Sequence, residues 1–485
     1  MKRVFTILRF LLLSVLLLLA VMLAKTFMSR STQVPAETTL KIQPDTVALQ
    51  HLAQMIRFRT VSYDDSANGF VKLAELKRLY DWLKVTYPQV AKHCRFQFIG
   101  HSLLIECTGT DTKLKLALFL AHLDVVPASD SAEWSSKPFA GTVKNDTLWG
   151  RGALDDKNVA VALLEALEKT LILKQLPRRT ILLAFGHDEE AGGADGAAQI
   201  AAHLIKNNIR AEFIADEGFG VMEGIVPGLK PPCAMVGLAE KGNVTLKLSV
   251  QMPAGHSAWP KADNASAVLS RGLAKLENEQ FEARIDGPVR QLFETAAPHM
   301  DFGYRFLFSN LWLTSPLVKS VLLKGEKTAA SIRTTHVTTI IRAGDKDNVV
   351  PANAEAQVNF RLKPGHRIAD LKKEVEGILN DPRIAVSVHG DFTEATPVSP
   401  TKNANYLLLS KAIRAVFPDA IVAPGLTITG TDCKHYTRVS DCIYRFAPFR
   451  LGDSNLAGIH GKNEYISGMQ LSAAIAFYQH LFGLL

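Results

Sequence analysis

Histidines and carboxylates recur where apolar runs of this chain give way to polar turns. His122-x-Asp124 follows LKLALFLA, and Asp155-Asp156-Lys157 follows GRGAL. His187-Asp188-Glu189-Glu190 follows ILLAFG, Asp216-Glu217 follows AEFIA, and His460 stands in GIHGKNEY. Each has a plain structural reading: acids at a helix start satisfy the helix dipole, and a lone histidine after a strand is more often structural than a ligand. Among them are two histidines and three carboxylates as potential ligands, with one carboxylate to spare. That set suits a pair of divalent ions bridged by a carboxylate and a hydroxide, whose charges would offset one another. Adjacent acids such as Asp188, Glu189 and Glu190 repel unless a cation stands near. Asp124 is placed to accept the second ring N–H of His122 and leave the other nitrogen for a metal. Neither a phosphate-cradling glycine loop nor a GxSxG elbow is present.

The elements that must position these residues alternate in type. TVALQHLAQMIRFRT and LAELKRLYDWLKVTY have helical apolar spacing. LKLALFLAHLDVVP, RTILLAFGHDEE and AEFIADEG read as buried strands, with the helix DDKNVAVALLEALEKTLILKQL between the first two. Strand and helix in alternation imply an α/β fold, a mostly parallel sheet covered by helices. In such sheets chemistry gathers beyond the carboxyl ends of the strands, where the histidines and acids stand. Near Gly242 the texture changes. NVTLKLSVQMPAG, TTHVTTIIRAG and AEAQVNFRLKPG alternate like half-exposed strands, with ADLKKEVEGILND as a helix. The expected organisation is residues 1–30 as membrane anchor or signal, 31–44 as linker and 45–241 as the first part of a catalytic domain. A smaller inserted α+β lid or dimerisation domain would span 242–370, and 371–485 would complete the catalytic domain.

The segments AHLDVVP, WGRGALDDKN, FGHDEEAGG, ADEG, GHSAWP, NVVPANAE, FRLKPG, GTDCKHY and GIHGKNEY resemble, in order from about residue 45 to 485, the dizinc metallopeptidase family of aminoacylase, carboxypeptidase S and N-fatty-acyl-amino acid synthase/hydrolase. The resemblance implies a metal-dependent amidohydrolase or peptidase that cleaves an amide next to a free α-carboxylate. Its cofactor would be two divalent metal ions, zinc by expectation. His122, Asp155, Glu190, Asp216 and His460 would be the ligands, with Asp155 bridging. Asp124 would orient His122, and Glu189 would be the general base acting on a bridging water. His256 would hydrogen-bond the oxyanion, in some relatives from a partner subunit. Arg361 would hold the substrate carboxylate, assisted by Gly430 and Thr431. Substrates would be N-acyl amino acids, in hydrolysis or the reverse condensation, or short Gly-X-like peptides, with a homodimer formed through the lid.

The composition fits a globular enzyme: 485 residues, 47% hydrophobic and 21% charged. The net charge of +8 owes much to Lys2, Arg3, Arg9, Lys25 and Arg30, all ahead of the first acid, Glu37. The remainder is near balance, which argues against nucleic acid as a partner. Val4 to Ala24 is almost wholly apolar and long enough for one span. Met22-Leu23-Ala24 is a poor cleavage site. The expectation is therefore a single N-terminal anchor with the body extracytoplasmic: periplasmic, luminal, or secreted if the anchor is cut. Among five cysteines there is no CxxC. Cys94 and Cys107 are candidates for a bridge in an oxidising compartment, against the plainer reading of isolated apolar residues. Residues 296–324 form an apolar, aromatic insert, read either as a buried lid helix or dimer contact, or as a wall for an acyl chain. A non-catalytic, membrane-tethered binding protein on the same fold is the rival; the presence of Glu189 and all five ligands counts against it.

Overall fold

A computed structural model describes residues 2–63, 73–129, 131–224 and 226–485. Strand-forming runs assemble into an eight-stranded sheet. Its order is Arg95–Ile99, Ser102–Cys107, Ile181–Gly186, Leu116–His122, Ala211–Met222, Ile443–Leu451, Cys233–Glu240 and Ile421–Thr427. The centre is parallel: Leu116–His122 runs with both Ile181–Gly186 and Ala211–Met222, and the latter runs with Ile443–Leu451. Antiparallel pairing at the flanks makes the sheet mixed.

Alternation along Leu116–His122 explains why both faces are covered. Ala117, Phe119 and Ala121 point into one core with the helices Thr46–Arg57, Lys157–Ile172, Ala404–Val416 and Gly468–Leu484. Leu118 and Leu120 point into the other, with the helix Ala197–Lys206 and the short turn Asp432–Tyr436. Lys157–Ile172 is buried along almost its whole length, its polar Lys157, Asn158, Glu165, Glu168 and Thr170 included, as befits a helix enclosed by its neighbours.

The second sheet is antiparallel, in the order Thr335–Ala343, Asn353–Leu362, Gly242–Gln251 and Ile384–Thr393. Gly242–Gln251 alternates buried and half-buried residues. Its inner side packs on the helices Ala265–Asn278 and Ile368–Leu379. The expected boundary at residue 370 is therefore too early. The strand Ile384–Thr393 pairs with Gly242–Gln251, so the smaller domain extends past it. Within the insertion, Gly287–Ala296 and the helices after it leave this domain and pack on the edge of the large sheet, against Cys233, Ala239, Ile421 and Ala423.

Residues 31–44 contain no helix or strand, as expected of a linker, but Gln33 exchanges two hydrogen bonds with the backbone of Val422 and ties the segment to the body. Lys2–Met28 is one helix, long and apolar enough to cross a membrane, a test that a signal sequence also passes. All five cysteines are free thiols, with Cys94 and Cys107 in hydrogen-bond contact.

Candidate active site and metal centre

His122 ends its strand and is buried. Its Nδ1 lies 3.0 Å from the Asp124 carbonyl oxygen and 3.3 Å from Asp124 Oδ1. Donation from Nδ1 leaves Nε2 as the acceptor facing the site, 2.9 Å from Asp155 Oδ1 and 3.6 Å from Glu217 Oε1. Asp124 in turn accepts from Ser62 Oγ at 2.7 Å and from the N–H groups of Glu189 and Glu190 at 3.2 and 3.1 Å. Burial works against its charge, but His122 and these donors outweigh burial and hold the carboxyl below its usual range. One carboxylate thus sets the histidine tautomer and fixes the loop carrying both glutamates.

Asp155 stands between the two histidines. Its Oδ1 faces His122, and its Oδ2 lies 3.1 Å from His460 Nε2, which is also 3.2 Å from Glu190 Oε2. The two oxygens of one carboxylate thus face two different histidines. The turn that carries Asp155 is pinned by Glu464, which is fully buried. Glu464 Oε1 accepts from Leu154 N (2.6 Å) and Asp155 N (3.1 Å). Its Oε2 accepts from Arg151 Nη1 (2.8 Å) and Gly152 N (3.0 Å). Arg151 also donates to the Gly461 carbonyl at 2.9 Å, joining this turn to the His460 loop. The peptide bond between Asp155 and Asp156 is cis, and Asp156 accepts from the His122 N–H at 3.3 Å.

Burial pushes the Glu189 carboxyl up to about 8; Glu190 and Asp155 add to this, while His122 and Lys434 oppose it. Burial also holds Asp156, Glu217 and Asp432 well above the usual carboxylate range. Four buried oxygens in this region have no donor: Asp156 Oδ1, Asp188 Oδ1, Glu190 Oε1 and Asp432 Oδ1. Ligand atoms of His122, Asp155 and Glu190 all lie within 4.8 Å of one another, as do those of His122, Glu189 and Glu217. So many carboxylates at low dielectric are costly without cations. The donor set of imidazoles and carboxylates fits divalent metal ions.

Of the expected ligands, His122, Asp155, Glu190 and His460 come together. Asp216 stands differently. Its carboxylate accepts from Cys433 N at 3.1 Å and Glu217 N at 2.9 Å, and it is Glu217, next on the same strand, that faces His122. His256 is exposed in the lid, stacked on Trp259 at 4.6 Å between ring centroids, and accepts from Ala258 N. None of its described contacts reaches the His122 cluster. Arg361 lies on Asn353–Leu362, and its guanidinium forms no ion pair among the described residues. Beside it, burial and the charges of Arg361, Lys363 and Arg333 lower Lys241 to about 7. Thr431 is buried, caps the turn Asp432–Tyr436 and donates to Glu240 Oε1 at 2.5 Å, so its hydroxyl is engaged in the fold. Gly430 is exposed, with open space where a Cβ would stand.

Sequence reasoning missed Ser62, Arg151, Asp432 and Glu464. Glu464 had a faint signal, an acid in the glycine-flanked loop of His460. Asp432 had another in the paired glycines of FGHDEEAGG. Gly193 has φ +73°, and a Cβ there would stand 2.3 Å from Asp432 Oδ1.

The model of the peptidase family M20/M25/M40 matches residues 118–483. The chain is 38% identical over 435 residues to a "Probable carboxypeptidase S-like 2" of Dictyostelium discoideum, covering 89% of this chain and 84% of that one. It is 35% identical over 487 residues to an "N-fatty-acyl-amino acid synthase/hydrolase PM20D1.1" of Danio rerio, covering 97% and 93%. Among solved structures, an M20 family metallo-carboxypeptidase of Sulfolobus solfataricus aligns with TM-score 0.64 at 19% identity, over 90% of this chain and 98% of that one.

Proposed function

The chain belongs to peptidase family M20/M25/M40, and from that premise we propose that this metal-dependent hydrolase cleaves an amide bond adjoining a free α-carboxylate. The observation that carries the proposal is Asp155, one carboxylate oxygen on each of two histidines, with Glu189 beside it. N-acyl amino acids are the proposed substrates, a reading supported by the similarity, over 97% of the chain, to a relative named as an N-fatty-acyl-amino acid synthase/hydrolase. A Gly-X carboxypeptidase activity is the second reading, supported by the name of the 38% identical relative.

In this reading His122, Asp155, Glu190 and His460 hold two divalent ions, zinc by donor type. The fifth ligand is Asp216, the acid of this strand that two backbone N–H groups fix, as ligating carboxylates commonly are. The ions supply Lewis acidity and bring the pKa of a coordinated water near 7. Glu189 removes the proton from the attacking water and delivers it to the departing amide nitrogen. Asp124 keeps His122 in one tautomer throughout. Arg361, without an acidic partner among the described residues, receives the substrate carboxylate through its planar fork. Gly430, with open space where a Cβ would stand, assists it, and Thr431 supports that loop through Glu240. His256 approaches the oxyanion from a partner subunit. A lid-mediated homodimer is supported by the exposed apolar side chains Val337, Ile341 and Val388 on the two edge strands of the smaller sheet. Lys2–Met28 anchors the body on the extracytoplasmic side of a membrane.

The test is amide hydrolysis by the zinc-loaded full chain in detergent, across N-acetyl to N-oleoyl amino acids and Gly-X dipeptides. Amino acid release from the acyl series, abolished by a chelator and by Glu189→Gln, is expected. Preference for dipeptides would establish the carboxypeptidase reading instead. Silence from folded, metal-bound protein would restore the non-catalytic rival.

A further inference from the structure

The apolar insert grips the N-terminal helix. Asn310 is fully buried, and its Nδ2 donates to Met22 O and Thr26 Oγ1, both at 3.1 Å. Arg305 donates from Nε to Thr26 O at 3.0 Å and from Nη2 to Ser29 O at 2.7 Å, closing carbonyls at the end of Lys2–Met28. The Phe27 and Phe302 rings lie 6.0 Å apart, and Lys25 Nζ sits 5.3 Å above the Trp312 ring. Contact with the body therefore begins at Met22, while every residue from Lys2 to Val21 is exposed. The exposed apolar stretch Val4–Val21 is about 27 Å long at 1.5 Å per residue, close to the ~30 Å of a hydrocarbon core.

The helices Phe302–Ser309 and Leu311–Leu322 thus sit where that stretch ends. Leu311, Thr314 and Val318 face inward. The opposite face, which water would be expected to solvate, carries Trp312, Leu313, Leu317 and Val321, each more than 40% exposed, with Phe302 and Leu323 at its ends. A helix apolar on both faces is unexpected in water. Aromatics at the mouth of a span, with the exposed cations Lys25, Arg30, Lys324 and Lys327 around them, match the composition of a membrane interface.

We propose that the outer face of the Phe302–Leu323 segment lies in the lipid headgroup region of the bilayer entered by Lys2–Met28, as a second membrane contact. The proposal rests on the anchor reading above, and the two separate experimentally. The full chain is reconstituted in phosphatidylcholine vesicles with and without brominated acyl chains, and tryptophan emission is recorded. Brominated lipid is expected to quench the native chain, with most of that quenching lost in Trp312→Phe and none lost in Trp259→Phe, a lid position. Phe10→Trp reports the span itself and is expected to add a strongly quenched component. Quenching of Phe10→Trp with no loss in Trp312→Phe overturns the second contact and leaves the anchor standing. Quenching at Trp312 without quenching at Phe10→Trp upholds the lipid contact and removes the anchor. A Trp312 shielded from both lipid and aqueous quenchers overturns the proposal in favour of a second protein copy on this face.

Discussion

Replacing Glu464 tests whether the bridging carboxylate is held from behind. Its two oxygens take four donors, the N–H groups of Gly152, Leu154 and Asp155 and the guanidinium of Arg151. Glu464→Gln keeps the shape but turns an amide NH2 toward two of them. Each buried group left unsatisfied costs about 1–3 kcal/mol, so the variant should lose about 2–6 kcal/mol. Glu464→Ala also strands the buried Arg151 charge, a defect that alone costs about 3–5 kcal/mol. The damage should extend to the site, because outer partners of metal ligands typically matter by about 10–100-fold in affinity. Urea unfolding in detergent measures the first effect, and zinc competition against a chromophoric chelator the second. Stability within about 1 kcal/mol of the native chain, with unchanged zinc affinity, would refute the reasoning that Glu464 positions Asp155.

Three further outcomes are expected. Asp216→Asn should reduce bound metal to one ion per chain while Glu217→Gln keeps two, measured by elemental analysis; the reverse result would move the ligand role to Glu217. Arg361→Ala should raise KM for substrates with a free α-carboxylate at little cost in kcat, and leave C-terminally amidated analogues unaffected. A common loss on both substrate types would deny Arg361 its recognition role. Gly193→Ala should destabilise the chain by at least about 1 kcal/mol, since φ is +73° and the added Cβ would meet Asp432 Oδ1. A melting curve matching the native one would show that the loop relaxes freely.

Three central strands of the large sheet, Leu116–His122, Ile181–Gly186 and the start of Ala211–Met222, were legible as short apolar runs that give way to polar residues, whereas the other strands of that sheet were not. His122 stands at such an end, with Glu189 and Glu190 just beyond another, but Asp216 lies within Ala211–Met222, a strand that runs on to Met222 past the polar residues. The smaller domain was legible only in part. IAVSVHGDFT alternates as a strand should, yet its pairing with Gly242–Gln251 spans more than a hundred residues, and nothing local announces it. The same holds for Glu464, whose partners lie over 300 residues earlier. The apolar insert showed its hydrophobicity but not its neighbour. Only the fold places Asn310 and Arg305 against the last turns of Lys2–Met28. Between Asp216 and Glu217 the sequence offers two adjacent acids on a strand, whose side chains point opposite ways, and spacing alone does not say which faces inward.

The most direct test of the central claim, two metal ions bridged by Asp155, is anomalous diffraction at the zinc edge from the zinc-loaded chain. The account predicts two peaks about 3.5–4 Å apart, both ligated by Asp155. One should lie about 2.0–2.1 Å from a His122 nitrogen and the other at that distance from His460. A single peak, or a pair that leaves Asp155 uncoordinated, would contradict it.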